Sequence, residues 1–135
     1  MSVQEILRTH PRPLIADAAV LARCLDECGA CAASCTICAD ACVAEPDVGE
    51  LVHCVRLWLD CADACGAVVR IVGRQTDPHP PSQLNTLEAC LAACRACADE
   101  CELHAHHHKH CRLSAEECRR CERACVELRS VLAAH

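Results

Sequence analysis

Between positions 24 and 42 the chain reads CLDECGACAASCTICADAC, with Cys24, Cys28, Cys31, Cys35, Cys38 and Cys42 separated by alternating steps of four and three. An α-helix completes a turn in about 3.6 residues, so this alternation returns every thiol to one face. The same spacing recurs downstream. Cys54, Cys61 and Cys65 form a second stripe, Cys90, Cys94, Cys97 and Cys101 a third, and Cys118, Cys121 and Cys125 a fourth. No window shows the sustained alternation of a strand. Four striped helices in one chain bury their stripes by packing them together, which predicts a bundle whose core is lined by cysteine.

Breakers set the helix limits. Pro11 and Pro13 set off a short N-terminal arm or helix, AEPDVGE around Pro46 makes the first turn, and QTDPHPPSQ (75–83) is the one conspicuous linker. In LSAEE, Ser114 stands three residues before Glu117, a capping box that predicts a new helix and an end to the previous one near His110. The expected helices are therefore about 13–43, 47–73, 82–109 and 115–133, with Cys111 in the last connection. Short links make sequential neighbours antiparallel. The expectation is an all-α, up-down-up-down four-helix bundle, with residues 1–135 forming a single domain.

Extending the stripes beyond the cysteines reveals a polarity. Leu14 and Leu21, Val68 and Val72, Leu84 and Leu87, and Leu128 and Leu132 continue them toward one pole, which reads as an aliphatic plug. Cys42, His53, Cys54, Cys111 and the run HAHHHKH from His104 to His110 gather at the other.

The chain has 17 cysteines among 135 residues, a net charge of −6 and no phenylalanine or tyrosine. Such cysteine density in a small secreted chain would read as a disulfide framework. The N-terminus MSVQEILRTHPRP, however, has no basic start, apolar core or small-residue cleavage site of a signal peptide. The expected compartment is the reducing cytoplasm, where thiols stay free or hold metal. Mixed charges without a basic stripe argue against nucleic acid, and no apolar run approaches the roughly 20 residues needed to span a bilayer.

Metal chemistry follows from the spacing. Side chains at i,i+3 and i,i+4 have Cβ atoms about 5–6 Å apart, whereas a disulfide requires about 3.5–4.5 Å. A two-coordinate Cu(I) ion has the missing reach, since a near-linear S–Cu–S unit separates its sulfurs by roughly 4–4.5 Å and soft Cu(I) favours thiolate. If each thiolate bridges two ions and each ion takes two thiolates, the charges cancel in the low-dielectric core. That ratio puts capacity on the order of 17 Cu(I) per chain, more if imidazoles add sites.

Four alternatives compete. Structural zinc needs four tetrahedral ligands, usually from knuckles rather than straight helices. Iron–sulfur ligation expects C-x2-C-x2-C-x3-C-P, from which CGACAASC departs. A thioredoxin-like redox enzyme would place one of its CxxC pairs in a βαβ context, which is missing; a helical thiol redox protein stands as the enzyme alternative, and the chain reads as a non-enzyme. A purely structural thiol core would pack less well than an aliphatic one.

The CxxxCxxC ladder on four helices, the histidines at one end and the chain length resemble the bacterial cytosolic four-helix-bundle copper storage proteins. The likeness spans nearly the whole chain. It implies a lumen holding many Cu(I) ions on cysteine thiolates, assembly into a homotetramer, and metal access through the histidine end. Exported relatives carry a targeting signal and methionines near the mouth; here the only methionine is Met1.

The expected ligands are thus all 17 cysteines together with His104, His107, His108 and His110. His104 and His108 extend the third stripe toward Cys111, and His107 and His110 form an adjacent i,i+3 pair. His106 should face solvent. His53 and Asp60 flank the second stripe and either reach the mouth or remain solvated. His10, His79 and His135 read as surface residues, and Trp58, between Cys54 and Cys61, as core packing. Beyond copper ions, the expected partners are a copper donor or acceptor protein or a small thiol.

Overall fold

Asp17 starts the first long helix by accepting a hydrogen bond from the Ala19 backbone N–H at 2.8 Å. The computed structural model describes residues 1–134; His135 lies outside them. The elements are α1 (Val3–Arg8), α2 (Ala18–Val43), a 3-10 turn (Val48–Glu50), α3 (Val52–Gly73), α4 (Pro80–His104) and α5 (Lys109–Ala133). There is no strand among the described residues.

The N-terminal arm is the short helix α1. Ser2 Oγ accepts from Glu5 N–H and Glu5 Oε2 accepts from Ser2 N–H, a reciprocal cap that starts α1, which packs on α2 with Leu7 buried. The long helices pack in a ring, α2 on α3, α3 on α4, α4 on α5 and α5 back on α2.

Several boundaries differ from the sequence-based expectation, each for a local reason. α2 starts at Ala18 because Asp17 provides the cap, and upstream Ile15 N–H is instead bound by Gln75 Oε1 at 2.9 Å. α3 starts at Val52, since the 3-10 turn occupies Val48–Glu50 and the Asp47 carboxylate is taken by His108. Pro80 opens α4, where a missing N–H and a fixed φ suit the first turn.

The largest correction concerns α5. Ser114 and Glu117 do not cap a helix; both are buried inside α5, which begins at Lys109 and contains Cys111. Ser114 Oγ pairs across to Ser34 Oγ on α2 at 3.2 Å, and Glu117 accepts from Arg120 Nε at 2.9 Å. The break falls after His104, whose carbonyl accepts from both His107 N–H and His108 N–H at 3.0 Å. His108 then enters α5 in an extended conformation, with its ring bonded elsewhere rather than capping.

The aliphatic pole forms as expected. Leu21, Val68, Val72, Leu87, Leu128 and Leu132 are fully buried there, with Leu14 and Leu84 partly buried against them. Gln75 latches this end by also donating from Nε2 to the Val72 carbonyl at 2.8 Å. Outside, Arg119 on α5 pairs with Asp99 at 2.7 Å and Glu102 at 3.0 Å on α4, and Arg23 on α2 pairs with Glu127 on α5. These exposed pairs align neighbours more than they stabilise them. Among the described residues no helix is long and apolar enough to cross a membrane.

Candidate metal-binding site

All 17 cysteines are free and buried, on the inner faces of α2, α3, α4 and α5. Cys38 is 6% exposed and every other one is at most 1% exposed. The sulfurs of Cys24, Cys28, Cys31, Cys35, Cys61, Cys65, Cys90, Cys94, Cys118, Cys121 and Cys125 form a connected network of close neighbours, and Cys97 and Cys101 pair at 3.9 Å. Within helices, Cys31 and Cys35 are 3.8 Å apart and Cys61 and Cys65 3.9 Å. Between helices, Cys28 lies 3.6 Å from Cys121 and from Cys125, Cys61 3.6 Å from Cys94, and Cys65 3.6 Å from Cys90. At Cβ spacings that exclude an unstrained disulfide along one helix, sulfurs still come close enough to share a metal.

The network resolves into groups of four sulfurs, each group lying within 4.8 Å: Cys28, Cys90, Cys121 and Cys125; Cys31, Cys65, Cys94 and Cys121; and Cys31, Cys35, Cys61 and Cys118. Cys121 and Cys31 each serve two groups. Shared corners of this kind suit bridging thiolates, because one sulfur can carry two metal ions.

Burial sets the protonation of the thiols nearest the histidine pole. Lost hydration disfavours thiolate and pushes Cys38 up to about 11, and Cys54 and Cys111 up to about 12. Deeper in, hydrogen bonds between thiols dominate. S–H donation from Cys31, then Cys35, Cys61 and Cys97, pulls Cys118 down, while donors such as Cys61 are pushed up, chiefly by Cys118. The direction of each shift thus follows which thiol donates and which accepts, and a metal ion must displace the shared protons to occupy the tube.

The opposite pole is where imidazoles meet the thiols. Cys42, His110 and Cys111 converge within 4.8 Å, and His110 Nδ1 lies 3.8 Å from Cys111 Sγ. The Cys38 thiol donates to the His110 carbonyl at 3.4 Å, and the His110 ring centroid is 6.1 Å from that of fully buried Trp58. His104 Nε2 sits 3.4 Å from Glu100 Oε1, which also accepts from the Cys54 thiol at 3.8 Å. His108 Nε2 lies 3.0 Å from Asp47 Oδ2, and His110 Nε2 3.1 Å from Glu45 Oε1. The bond to His108 holds the Asp47 carboxyl below its ordinary value.

The remaining histidines separate from this group. His107 is exposed and rests against His106, with centroids 3.9 Å apart. His53 is exposed, and Asp60 is exposed with its carboxylate on Arg56 at 3.1 Å. His10 binds the Arg12 backbone and His79 the Ser82 hydroxyl, both at the aliphatic end of the chain path.

Glu45, Asp47 and Glu100 are site residues that sequence reasoning passed over. Acidic residues in turns and on helix flanks are common, and only their position beside the histidine pole marks these three. Glu45 and Asp47 lie in the α2–α3 connection, which closes at that pole.

Known proteins are similar to this chain in sequence and in fold. The family model described as Csp, copper storage protein, matches residues 17–130. The structure of the copper storage protein Ccsp from Streptomyces lividans, loaded with 10 copper equivalents, matches with a TM-score of 0.91 at 43% identity, covering 99% of this chain and 100% of that one. A cytosolic copper storage protein from the same organism, carrying five coppers, gives a TM-score of 0.82 at 47% identity over 83% of this chain and 93% of its own. The uncharacterized cysteine-rich protein YhjQ of Bacillus subtilis (strain 168) is 33% identical over 102 residues, 76% of this chain and 89% of its own. A thiol-lined four-helix tube, aliphatic at one pole and imidazole-bearing at the other, thus belongs to the copper storage protein family.

Proposed function

We propose that this chain stores Cu(I) at high capacity in the cytoplasm and thereby protects the cell from the free ion. The observation that carries the reading is the sulfur network, in which neighbouring thiols from four helices stand 3.6–4.0 Å apart without disulfides. A two-coordinate ion bridges such pairs with small rotamer changes, and soft thiolate selects Cu(I). Copper is the cargo here, and no catalytic role is assigned.

The proposed ligands are the 17 cysteines, with His104, His107, His108 and His110 receiving ions at the open pole. Copper then moves inward by thiolate exchange through Cys42, Cys54 and Cys111 and fills the tube toward the aliphatic plug. A donor or acceptor protein, or a small thiol, exchanges copper at the histidine end. Residues 1–135 act as one domain, and four copies assemble as the family resemblance implies. Exposed Ile37 and Leu103 offer apolar surface for that assembly.

Anaerobic titration of the reduced protein with Cu(I), against a competing chelator, tests the reading. Saturation near or above one copper per cysteine supports it. About four ions or fewer would instead assign the tube to tetrahedral zinc-type sites or clusters.

A further inference from the structure

Glu45, His108 and His110 gather their donor atoms within 4.8 Å of one another on the outer side of the histidine pole. His110 Nε2 is 3.1 Å from Glu45 Oε1, and His108 Nδ1 is 3.5 Å from the same oxygen. We propose that these three residues bind a divalent transition-metal ion of the zinc, nickel or cobalt class, at a site distinct from the Cu(I)-binding thiols, with Asp47 as a positioning residue for His108.

The spacing fits such an ion. With metal–nitrogen and metal–oxygen bonds of about 2.0–2.2 Å, ligands around a tetrahedral centre stand about 3.4 Å apart. These two separations bracket that distance, and all three donor atoms lie within 4.8 Å of one another, so an ion fits with small side-chain adjustments. The α2–α3 connection supplies Glu45, and the start of α5 supplies both histidines.

An independent feature is the partner on the far side of His108. Its Nε2 faces Asp47 Oδ2 at 3.0 Å, leaving Nδ1 directed at Glu45. A carboxylate on the remote ring nitrogen fixes the tautomer and strengthens the ligating nitrogen, an arrangement common to metal-binding histidines. The His110 ring is likewise fixed, with Nδ1 toward Cys111 and Nε2 outward.

Charge and donor hardness select the class of ion. Two neutral imidazoles, the Glu45 carboxylate and the adjacent Asp47 carboxylate together offset a dication, whereas a monovalent ion would leave an uncompensated negative charge. Imidazole and carboxylate suit zinc, nickel and cobalt, while Cu(I) prefers the thiolates beyond Cys111. Partial exposure of Glu45 and His110 leaves a coordination position open to water. A bound ion would tie the α2–α3 connection to α5 and draw His110 Nε2 outward, away from the tube.

The proposal goes beyond Cu(I) storage and shares two histidines with it, so the test keeps the two apart. The anaerobic protein is first given one Cu(I) per cysteine, its copper content is measured, and Co²⁺ is then titrated in. The expected result is one Co²⁺ per chain with nitrogen- and oxygen-ligated visible bands and no thiolate-to-cobalt charge transfer. Glu45→Gln should weaken Co²⁺ binding by at least about 10-fold, and Asp47→Asn by about 10–100-fold, with helicity unchanged by circular dichroism. No retained Co²⁺, a thiolate charge-transfer band, or affinity unchanged in both variants overturns the outer site. Low copper content in the first step is a separate failure, that of the storage reading.

Discussion

Cys65 Sγ on α3 and Cys121 Sγ on α5 face each other diagonally across the bundle at 3.9 Å. The tube is therefore narrow enough for opposite walls to share an ion, and Cys121 serves two of the four-sulfur groups. Replacing Cys121 with Ala should lower Cu(I) capacity by more than replacing Cys42, which sits in one three-residue group at the mouth. Chelator-competed titration of both variants gives the comparison. Equal losses would mean that the ions do not share corners.

Proton release links loading to pH. Burial pushes Cys54 and Cys111 up to about 12 and Cys38 up to about 11, from an ordinary value of 9.0. For such thiols the folded chain keeps protons that the unfolded chain loses, so their contribution to metal-free stability is full below about pH 9 and falls as pH rises toward 11–12. The slope is about 1.4 kcal/mol per pH unit for each fully protected thiol. Copper binding has the opposite sign, because thiolate is the ligand and each one formed releases a proton. Urea midpoints of metal-free protein from pH 7 to 10.5, set beside Cu(I) affinity over the same range, should move in opposite directions.

The two poles predict separable mutants. Leu128→Ala in the plug should cost about 2–5 kcal/mol of stability while copper capacity is unchanged. Gln75→Ala should cost about 1–3 kcal/mol by removing the two hydrogen bonds that tie Ile15 N–H and the Val72 carbonyl together through one side chain. Thermal unfolding and copper titration of each variant make the test, and a large capacity loss from either would contradict the assignment of this pole to structure alone.

Trp58, the only tryptophan, provides an optical reporter at the mouth. Its ring lies 6.1 Å from that of His110, so copper arriving there should alter its fluorescence. Replacing both His104 and His108 with Ala should slow that change in stopped-flow mixing while the final copper content stays the same. Unchanged kinetics would reject an access role for these imidazoles.

The stripes were legible because helix period and metal-ligand spacing coincide: a thiol every three or four residues states both the secondary structure and the face that is buried. The aliphatic plug followed from the same register. Ser114 and Glu117 misled because a capping box and a buried pair on a helix wall have the same spacing; what separates them is Ser34, distant in sequence and 3.2 Å away in space. The stripe through His104 and His108 does not run on one helix, since the chain turns after His104, yet the turn returns His108 to the pole. Glu45, Asp47 and Glu100 could not be found from spacing, because their partners are imidazoles and thiols on other elements.

The leucine and valine plug gathers four helix ends without using a single metal ligand. Cohesion and cargo are thereby assigned to different stretches of the same helices. Filling becomes a graded change of contents inside a vessel that already has its shape, so partially loaded chains should be ordinary members of the population, and the amount held can follow supply ion by ion.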